Sequence, residues 1–417
     1  MSASNRRVSI SSPALPSLTA MADLLKTSKV SIAARALGPM DVPLLAITLL
    51  LVSFGIVMVY SSSAIFAARS HGSAQYYLLR QASFAIVGLT AMTVAARIDY
   101  RLFRKFTYPM LAGTVGLLIL VIAGFGRAGG GAARWLKIGP VTLQPAELAK
   151  VVVVLWLAHS LSKKQEKIRT FSVGFLPHLL VTGFLMILCL KQPDFGSSMV
   201  LLLLTFTLMF IAGAKTGYIL GAVVAALPVA YQLVMGTAYR RRRWEAFVDP
   251  WAHRQDISYQ LVESLLSFGS GGPTGLGLGD SRQKLFFLPE AHTDFIGAII
   301  GEELGFLGIC LLLSAYAFLL YRGITIALHA RDDYGTYVAF GISTLFALQV
   351  LINLGVAMGV LPTKGLTLPM VSYGGSSLVI NLFAIGILLS ISRSCVYDPP
   401  EPEEPAPTAK PTTKVAA

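Results

Sequence analysis

The sequence predicts an all-α integral membrane protein with about ten transmembrane helices. Hydrophobic residues make up 54% of its 417 residues, charged residues make up only 13%, and the mean hydropathy is +0.67. Several apolar runs come close to the length of about 20 residues that a helix needs to cross the hydrocarbon of a bilayer. A soluble core cannot account for this composition.

Ten apolar runs are predicted to span the membrane. The first, residues 42–62, is too long for the core of a signal peptide and is not followed by a small-residue cleavage site, so we expect it to remain as a helix. The predicted spans are residues 42–62, 77–96, 107–125, 147–161, 173–190, 196–213, 216–236, 294–321, 334–360 and 373–395.

The basic residues predict the orientation of these spans. The formal net charge is +13, from 34 Lys and Arg against 21 Asp and Glu, and the clusters of basic residues fall on one side together with a basic N-terminal tail. By the positive-inside rule both termini are therefore cytoplasmic. Nucleic acid is a poor candidate partner, because no aromatic-interleaved basic domain is present. The clusters are Arg97/Arg101/Arg104/Lys105, Lys163/Lys164/Lys167/Arg169 and Arg322/Arg331.

Composition divides the chain into a membrane domain and two tails. Residues 1–40 form a Ser-rich and basic tail that we expect to be cytoplasmic and largely disordered, and residues 41–395 form the membrane domain. Residues 396–417 are rich in Pro and Glu and are predicted to form a disordered cytoplasmic tail. Residues 237–293 form a large extracytoplasmic loop between helices 7 and 8, and a loop of that length usually has a function.

Asp294 is the leading candidate for chemistry. It ends the stretch Leu285 to Asp294, where a polar loop re-enters an apolar helix, and a carboxylate at such a boundary is costly to desolvate. Two roles stay open from the residues alone. Thr293 or Asp294 is suited to cap the following helix, whereas the neighbouring Lys284, Glu290 and His292 in an aromatic segment favour a general base.

Other charges near the predicted outer surface have structural and functional interpretations. Glu147 and Lys150 share a helix face and can neutralise one another. Either the pair only lets the helix insert into the membrane, or Glu147 orients the Lys150 cation toward an anionic group of a substrate. The nearby Arg134 supports the second interpretation. In the segment Lys191 to Asp194, Asp194 is either an N-cap or, with Gln192, a polar group at a cavity mouth.

Three further features are less specific. Glu302 falls on the same half of its helix as Asp294, whereas Glu303 points away. The run Arg240 to Arg243 is either tolerated in a long loop or forms an electropositive surface for a lipid head group or pyrophosphate. The glycine-rich run 269–279 lacks the context of a nucleotide site and is interpreted as a flexible loop that can approach a bulky ligand.

Cysteine and histidine patterns predict neither a disulfide framework nor a structural metal site. The three cysteines lie in or beside apolar helices without CxxC spacing, and the histidines form no HExxH pair. No cofactor is required by the sequence, although a divalent cation such as Mg²⁺ or Mn²⁺ would suit a reaction that releases pyrophosphate.

Five motifs occur in order along the chain, and through them the sequence resembles the SEDS family (shape, elongation, division, sporulation) from about residue 40 to residue 395. The loops 361–369 and 243–251 resemble those of the cell-division members. The motifs are Trp135-Leu-Lys-Ile-Gly-Pro, Gln144-Pro-Ala-Glu147-Leu-Ala-Lys150, Lys191-Gln-Pro-Asp194-Phe-Gly, Pro289-Glu-Ala-His-Thr-Asp294-Phe and Val371-Ser-Tyr-Gly-Gly-Ser-Ser377.

The resemblance implies a peptidoglycan glycosyltransferase that polymerises lipid II at the outer face of the bacterial inner membrane, at the division septum. It implies as partners a class B penicillin-binding transpeptidase and other membrane proteins of the division complex. Asp294 matches the catalytic aspartate. The expected substrate-binding residues are Arg134, Glu147, Lys150, Gln192, Asp194, Arg243, His292 and Glu302.

Two other classes of function remain open. A transporter or lipid flippase also has about ten helices with charges at the membrane edge, but its coupling charges should lie near the midplane rather than on one side. A non-catalytic division scaffold would keep the same residues for packing alone.

Overall fold

The computed structural model describes residues 38–395, except for ten positions. These are residues 130, 131, 140, 237, 257, 286, 287, 290, 363 and 364. The predicted N-terminal tail up to residue 37 and the predicted C-terminal tail 396–417 lie outside the described residues.

Helices account for nearly all regular structure in the described residues, which confirms the predicted all-α membrane class. Within the part of the chain that the structure describes, eight helices are long and apolar enough to cross a membrane. The helices are α1 Val42–His71, α2 Tyr76–Arg97, α3 Arg101–Leu120, α4 Pro145–Lys163, α5 Leu176–Lys191, α6 Phe195–Ile211, α7 Thr216–Met235, α8 Ala238–Val248, α9 Tyr259–Gly271, α10 Ile296–Leu328, α11 Asp333–Ala357 and α12 Gly375–Ser392.

Each of the ten predicted spans coincides with a helix, but two of them are short. The helix α6 has 17 residues, and the apolar part of α7 covers only Thr216–Pro228. Other helices run beyond the prediction: α1 continues to His71 instead of ending near residue 62. The serines there do not end the helix, because Ser62 and Ser63 hydroxyls donate back to carbonyls of the preceding turn.

The segment between the predicted spans 107–125 and 147–161 contains a small antiparallel sheet that the sequence pattern did not predict. Its strands are β1 Gly126–Gly129, β2 Ala132–Ile138 and β3 Val141–Leu143, in the order β1-β2-β3. Trp135 pairs with Arg127 across the first two strands, and Leu136 pairs with Leu143 across the next two. The sheet leads directly into α4.

The bundle is organised around α4, whose side chains are almost all buried. It packs against α3, α6 and α11, while α12 lies along α2. Glycine allows the last contact: a side chain on Gly386 would come within 2.4 Å of the Met92 carbonyl oxygen. The helices α4, α6, α10 and α12 begin at the same end of the bundle, called here the site end.

The long segment between α7 and α10 is folded rather than irregular, since it contains α8 and α9. Its glycine-rich run packs against a break in α10 at Gly305, where φ is +65°. Backbone N–H groups of Leu276 and Gly277 donate to the carbonyls of Glu302 and Glu303 at 3.0 Å each. These glycines lie close to the protein's own helix, at the point where the break in α10 frees two carbonyls.

Candidate active site

The polar residues predicted from four separate motifs meet at the site end. The loop between α11 and α12 connects these motifs, because its residues Gly365, Leu366 and Thr367 each contact a different motif. This loop therefore joins α4, α6 and α10 into one site.

Asp294 is half-buried one residue before the N-cap of α10. The N-cap is Phe295, which makes no side-chain capping bond, and α10 begins at Ile296 rather than at residue 294. Neither Thr293 nor Asp294 therefore occupies the capping position that one interpretation gave them. The Asp294 carboxylate faces Gly365 closely: a β-carbon on Gly365 would lie 2.7 Å from Asp294 Oδ2.

Asn353, which no sequence motif pointed to, holds the two loops of the site together. Its side chain is buried within α11 and donates through Nδ2 to the Asp294 carbonyl at 2.9 Å and to the Leu366 carbonyl at 2.6 Å. Its Oδ1 atom has no hydrogen-bond partner among the described residues. An amide among the apolar residues near the end of this helix was the available signal, since burying such a group without a partner is costly.

Glu147 and Lys150 form a fully buried ion pair. Lys150 Nζ donates to Glu147 Oε1 at 2.7 Å, and Lys150 and Glu147 are only 1% and 4% exposed. Ser377 Oγ donates to the other Glu147 oxygen at 3.4 Å and shares a 3.1 Å hydrogen bond with Thr367. The predicted pairing is confirmed, and it connects α4 to the Gly365 loop.

Asp194 is the N-cap of α6, as one of its two interpretations predicted. Its carboxylate accepts from the Ser197 N–H at 3.0 Å and from the Ser197 hydroxyl at 2.8 Å. Beside it, Gly196 lies against Leu366: a β-carbon there would come within 3.1 Å of that side chain. The cap therefore fixes the start of α6 against the same loop that faces Asp294.

Arg134 stabilises the turn that precedes Asp194 by hydrogen bonds. It donates from β2 to the carbonyls of Gln192 at 3.2 Å and Pro193 at 2.5 Å. Pro193 has a φ of +30°, so these bonds support a strained turn. Gln192 is buried and donates to the Leu118 carbonyl at 3.0 Å. Arg134 forms no ion pair within the described part of the chain, so its charge is not neutralised.

His292 belongs to an aromatic cluster beside Asp294. Its ring lies 4.6 Å from that of Tyr77, 5.7 Å from that of Tyr373 and 5.9 Å from that of Phe66, measured between centroids. The Tyr373 N–H also donates to the His292 carbonyl at 2.9 Å.

Glu302 and Glu303 both anchor the chain that leads to Asp294. Glu302 is buried and accepts from the Ser281 hydroxyl and from the Arg282 N–H at 3.0 Å. Glu303 accepts from Ser61 of α1 at 2.7 Å and pairs with Lys284 at 2.9 Å. Both carboxylates face protein groups, and this arrangement holds the 281–284 turn against α10.

Two arginines of the basic run on α8 are paired with acids. Arg241 contacts Glu245 at 2.9 Å, and Arg242 contacts Asp256 at 2.7 Å. Both pairs are exposed, so each contributes little stability. Arg243 is half-buried on the same helix. These acids reduce the electropositive field that the sequence alone suggested.

Within the described ranges, no group of three or more His, Cys, Asp or Glu side chains is arranged to hold a metal ion. The carboxylates of Glu147, Asp194 and Glu302 are instead engaged by Lys150, by serine hydroxyls and by backbone N–H groups. The divalent cation suggested by a pyrophosphate leaving group stays a prediction.

This architecture defines a multi-pass, all-α membrane protein with a half-buried carboxylate at one end, surrounded by helix starts and polar loops. Residues 42–396 match the sequence profile of a family of cell cycle proteins, which comprises FtsW, RodA and SpoVE. The chain belongs to this family, which confirms the resemblance predicted from the motifs.

Similar proteins agree with the assignment over most of their length. The chain is 47% identical over 353 residues to the "Probable peptidoglycan glycosyltransferase FtsW" of Geobacter metallireducens, which covers 84% of this chain and 94% of that protein. It is 41% identical over 360 residues to the "Stage V sporulation protein E" of Bacillus subtilis, covering 86% of this chain and 98% of that protein.

Solved structures share the fold. A chain from a peptidoglycan synthase complex, described as structurally coordinating polymerization and crosslinking, matches with a TM-score of 0.72 and 30% identity, over 85% of this chain and 98% of that chain. The rod shape determining protein RodA of Thermus thermophilus matches with a TM-score of 0.64 and 29% identity, over 86% of this chain and 98% of that chain.

Proposed function

We propose that the protein is a peptidoglycan glycosyltransferase that polymerises lipid II into β-1,4 glycan strands during septal cell-wall synthesis. The observation that carries the proposal is the half-buried carboxylate of Asp294, which faces Gly365 where four motifs meet. The FtsW relatives of this chain carry the glycosyltransferase name, and this supports the same activity here.

Asp294 acts as the general base in this proposal. It takes the proton of the 4-hydroxyl group of the acceptor sugar while that oxygen attacks the anomeric carbon of the donor. The bond to the lipid-linked pyrophosphate breaks as the new glycosidic bond forms, so an α-linked donor gives a β-linked product. Asn353 positions the base, because it holds the Asp294 backbone next to the Leu366 carbonyl.

Arg134 is the favoured cation for the departing pyrophosphate. Lys150 is neutralised by Glu147 at 2.7 Å, and Arg241 and Arg242 have carboxylate partners. Arg134 instead donates to two neutral carbonyls, which orient its guanidinium without cancelling its charge. The remaining residues proposed to bind the substrate are Glu147, Lys150, Gln192, Asp194, His292, Glu302 and Arg243.

We place the enzyme in the bacterial inner membrane at the division septum, with a class B penicillin-binding transpeptidase and other division proteins as partners. The similarity to a chain from a synthase complex supports a partner of that kind. A flippase is less well supported, because the described polar cluster of the site lies at one end of the bundle rather than at its midplane.

The decisive experiment incubates the purified protein and its cognate transpeptidase with labelled lipid II and separates the products by size. Glycan strands should form, and they should persist when the transpeptidase active site is blocked. If strands never form while the labelled lipid moves between leaflets of a vesicle, the flippase alternative is correct. If neither occurs and the two proteins still bind each other, the scaffold alternative is correct.

A further inference from the structure

A cavity of about 650 Å³ opens within the segment between α7 and α10. Its volume is in the range of ordinary small-molecule sites. One face of α9, the turn before α9 and the turn after residue 280 line it, and none of these groups belongs to the Asp294 cluster. The polar lining residues are Arg254, Gln255, Tyr259, Glu263, Arg282 and Gln283.

Two of the three walls of this cavity, α9 and the turn after residue 280, are held by hydrogen bonds to the membrane helices. Glu302 of α10 accepts from the N–H of Arg282 at 3.0 Å and from the N–H of Gln283 at 3.4 Å. The Ser264 hydroxyl ties α9 to the Ala357 carbonyl at the end of α11, at 2.7 Å. These two walls are therefore preformed, which lowers the entropic cost of binding a ligand.

The charges of the lining select an anion with a single charge. Two guanidinium groups, Arg254 and Arg282, and one carboxylate, Glu263, line the cavity, so the lining carries one net positive charge. Arg254 forms an ion pair with the buried Glu263 at 3.7 Å, whereas Arg282 has no ion-pair partner among the described residues. A pyrophosphate would place several negative charges beside Glu263, whereas a carboxylate would place only one.

The remaining lining groups suit peptide amides. Gln255 and Gln283 each carry a donor and an acceptor, and Tyr259 adds a hydroxyl group. Gln283 Oε1 is buried without a hydrogen-bond partner in the described structure, so rotation of this side chain toward a ligand N–H would satisfy it. Leu266 supplies an apolar contact for a small side chain.

We propose that this cavity binds a short peptide through its carboxylate, with Arg282 as the main anchor and the two glutamines on the peptide amides. The proposed substrate, lipid II, carries such a peptide, so the cavity would hold that peptide while the sugars lie near Asp294. This last assignment rests on the proposed function, whereas peptide binding itself does not.

Peptide binding is tested on the full-length protein in detergent by calorimetric titration. The probes are N-acetyl-trialanine with a free carboxylate, the same peptide as its C-terminal amide, and inorganic pyrophosphate. We expect the acid to bind about tenfold more tightly than the amide, as for a charge-assisted bond, and more tightly than pyrophosphate. Equal affinity for acid and amide, or preference for pyrophosphate, would overturn the proposal.

Three variants separate the cavity from general effects of charge. Arg282→Gln should remove the preference for the acid. Arg127→Gln, which removes an exposed charge on β1 outside the cavity, should leave it unchanged. Glu263→Gln should strengthen binding of the acid severalfold, because it removes the repelling carboxylate, and such a gain cannot come from misfolding. If Arg282→Gln still binds the acid more tightly than the amide, Arg282 is not the group that binds the peptide carboxylate.

The link to the substrate is tested by kinetics with lipid II. Arg282→Gln should raise KM severalfold with little change in kcat, because it loses binding that is the same in ground and transition states. If the peptide binds but KM is unchanged, the cavity serves a separate peptide. If the wild-type protein makes no glycan at all, the proposed function fails while the peptide titration still decides the cavity.

Discussion

Gly365 faces the carboxylate of Asp294 so closely that a β-carbon at position 365 would lie 2.7 Å from Asp294 Oδ2. The two residues come from motifs about 70 positions apart in sequence, and they meet because Asn353 bonds to both loops. The lack of a side chain at position 365 therefore leaves space for the carboxylate at the point where the proposed reaction occurs.

Gly365→Ala should impair catalysis without unfolding the protein. The added methyl group would force the Asp294 carboxylate to move, and small displacements of a catalytic group can cost about 10²-fold in rate. Polymerisation of labelled lipid II measures this loss, and the melting temperature in detergent checks the fold. Gly269→Ala is the matched control, since a β-carbon there meets nothing within 4 Å. Full activity of Gly365→Ala would argue against this geometry.

Asp294→Asn should reduce polymerisation by about 10²-fold to 10⁴-fold, the usual contribution of a general base. The variant should still fold and bind lipid II, because the amide is nearly the same size as the carboxylate. Asp280→Asn removes an exposed carboxylate from the preceding turn and should keep its activity. Near-normal glycan synthesis by purified Asp294→Asn would exclude Asp294 as the base.

The Glu147–Lys150 pair should show a stability effect that depends on both partners. Lys150→Met alone leaves a buried carboxylate without its counter-ion and should cost about 3–5 kcal/mol of unfolding free energy. The double variant Glu147→Gln/Lys150→Met should regain most of that loss but remain a poor polymerase. Thermal unfolding measures the stability effect, and product length measures the effect on polymerisation. If the double variant is an active polymerase, the pair has only a structural role.

Asp332, at the opposite end of the bundle, should make stability depend on pH. Burial raises the pKa of this carboxyl, but hydrogen bonds from Tyr100, Gly335 and Arg101 outweigh burial, so the pKa lies below its usual value. A carboxylate with a lowered pKa stabilises the fold above its unfolded value of about 3.9, and this stabilisation is lost as the pH falls through the folded value.

Asp332→Asn should therefore lower the melting temperature at neutral pH, and the difference from wild type should shrink below about pH 4. Melting curves in detergent at several pH values measure it. Asp333→Asn, which changes the exposed neighbour, is the control. A constant difference at every pH would mean that the hydrogen bonds of Asp332 do not depend on its charge.

Much of the fold could be predicted from the sequence because membrane helices are local structures. The apolar runs placed every predicted span on a helix, and the pairing of Glu147 with Lys150 followed from helical spacing. The sheet at 126–143 was missed because its strands are short and glycine-interrupted. Burial also revealed Asn353, whose role could not be read from its neighbours in sequence.

Hydropathy and motif order are properties of the chain, so the membrane class, the family motifs and Asp294 as the leading candidate followed from the residues alone. Helix packing decided three other features: Phe295 rather than Asp294 occupies the N-cap of α10, Gly365 makes room for the Asp294 carboxylate, and the glycine run packs on the break at Gly305. These features depend on close contacts between segments far apart in the chain, and such contacts exist only once the helices have packed.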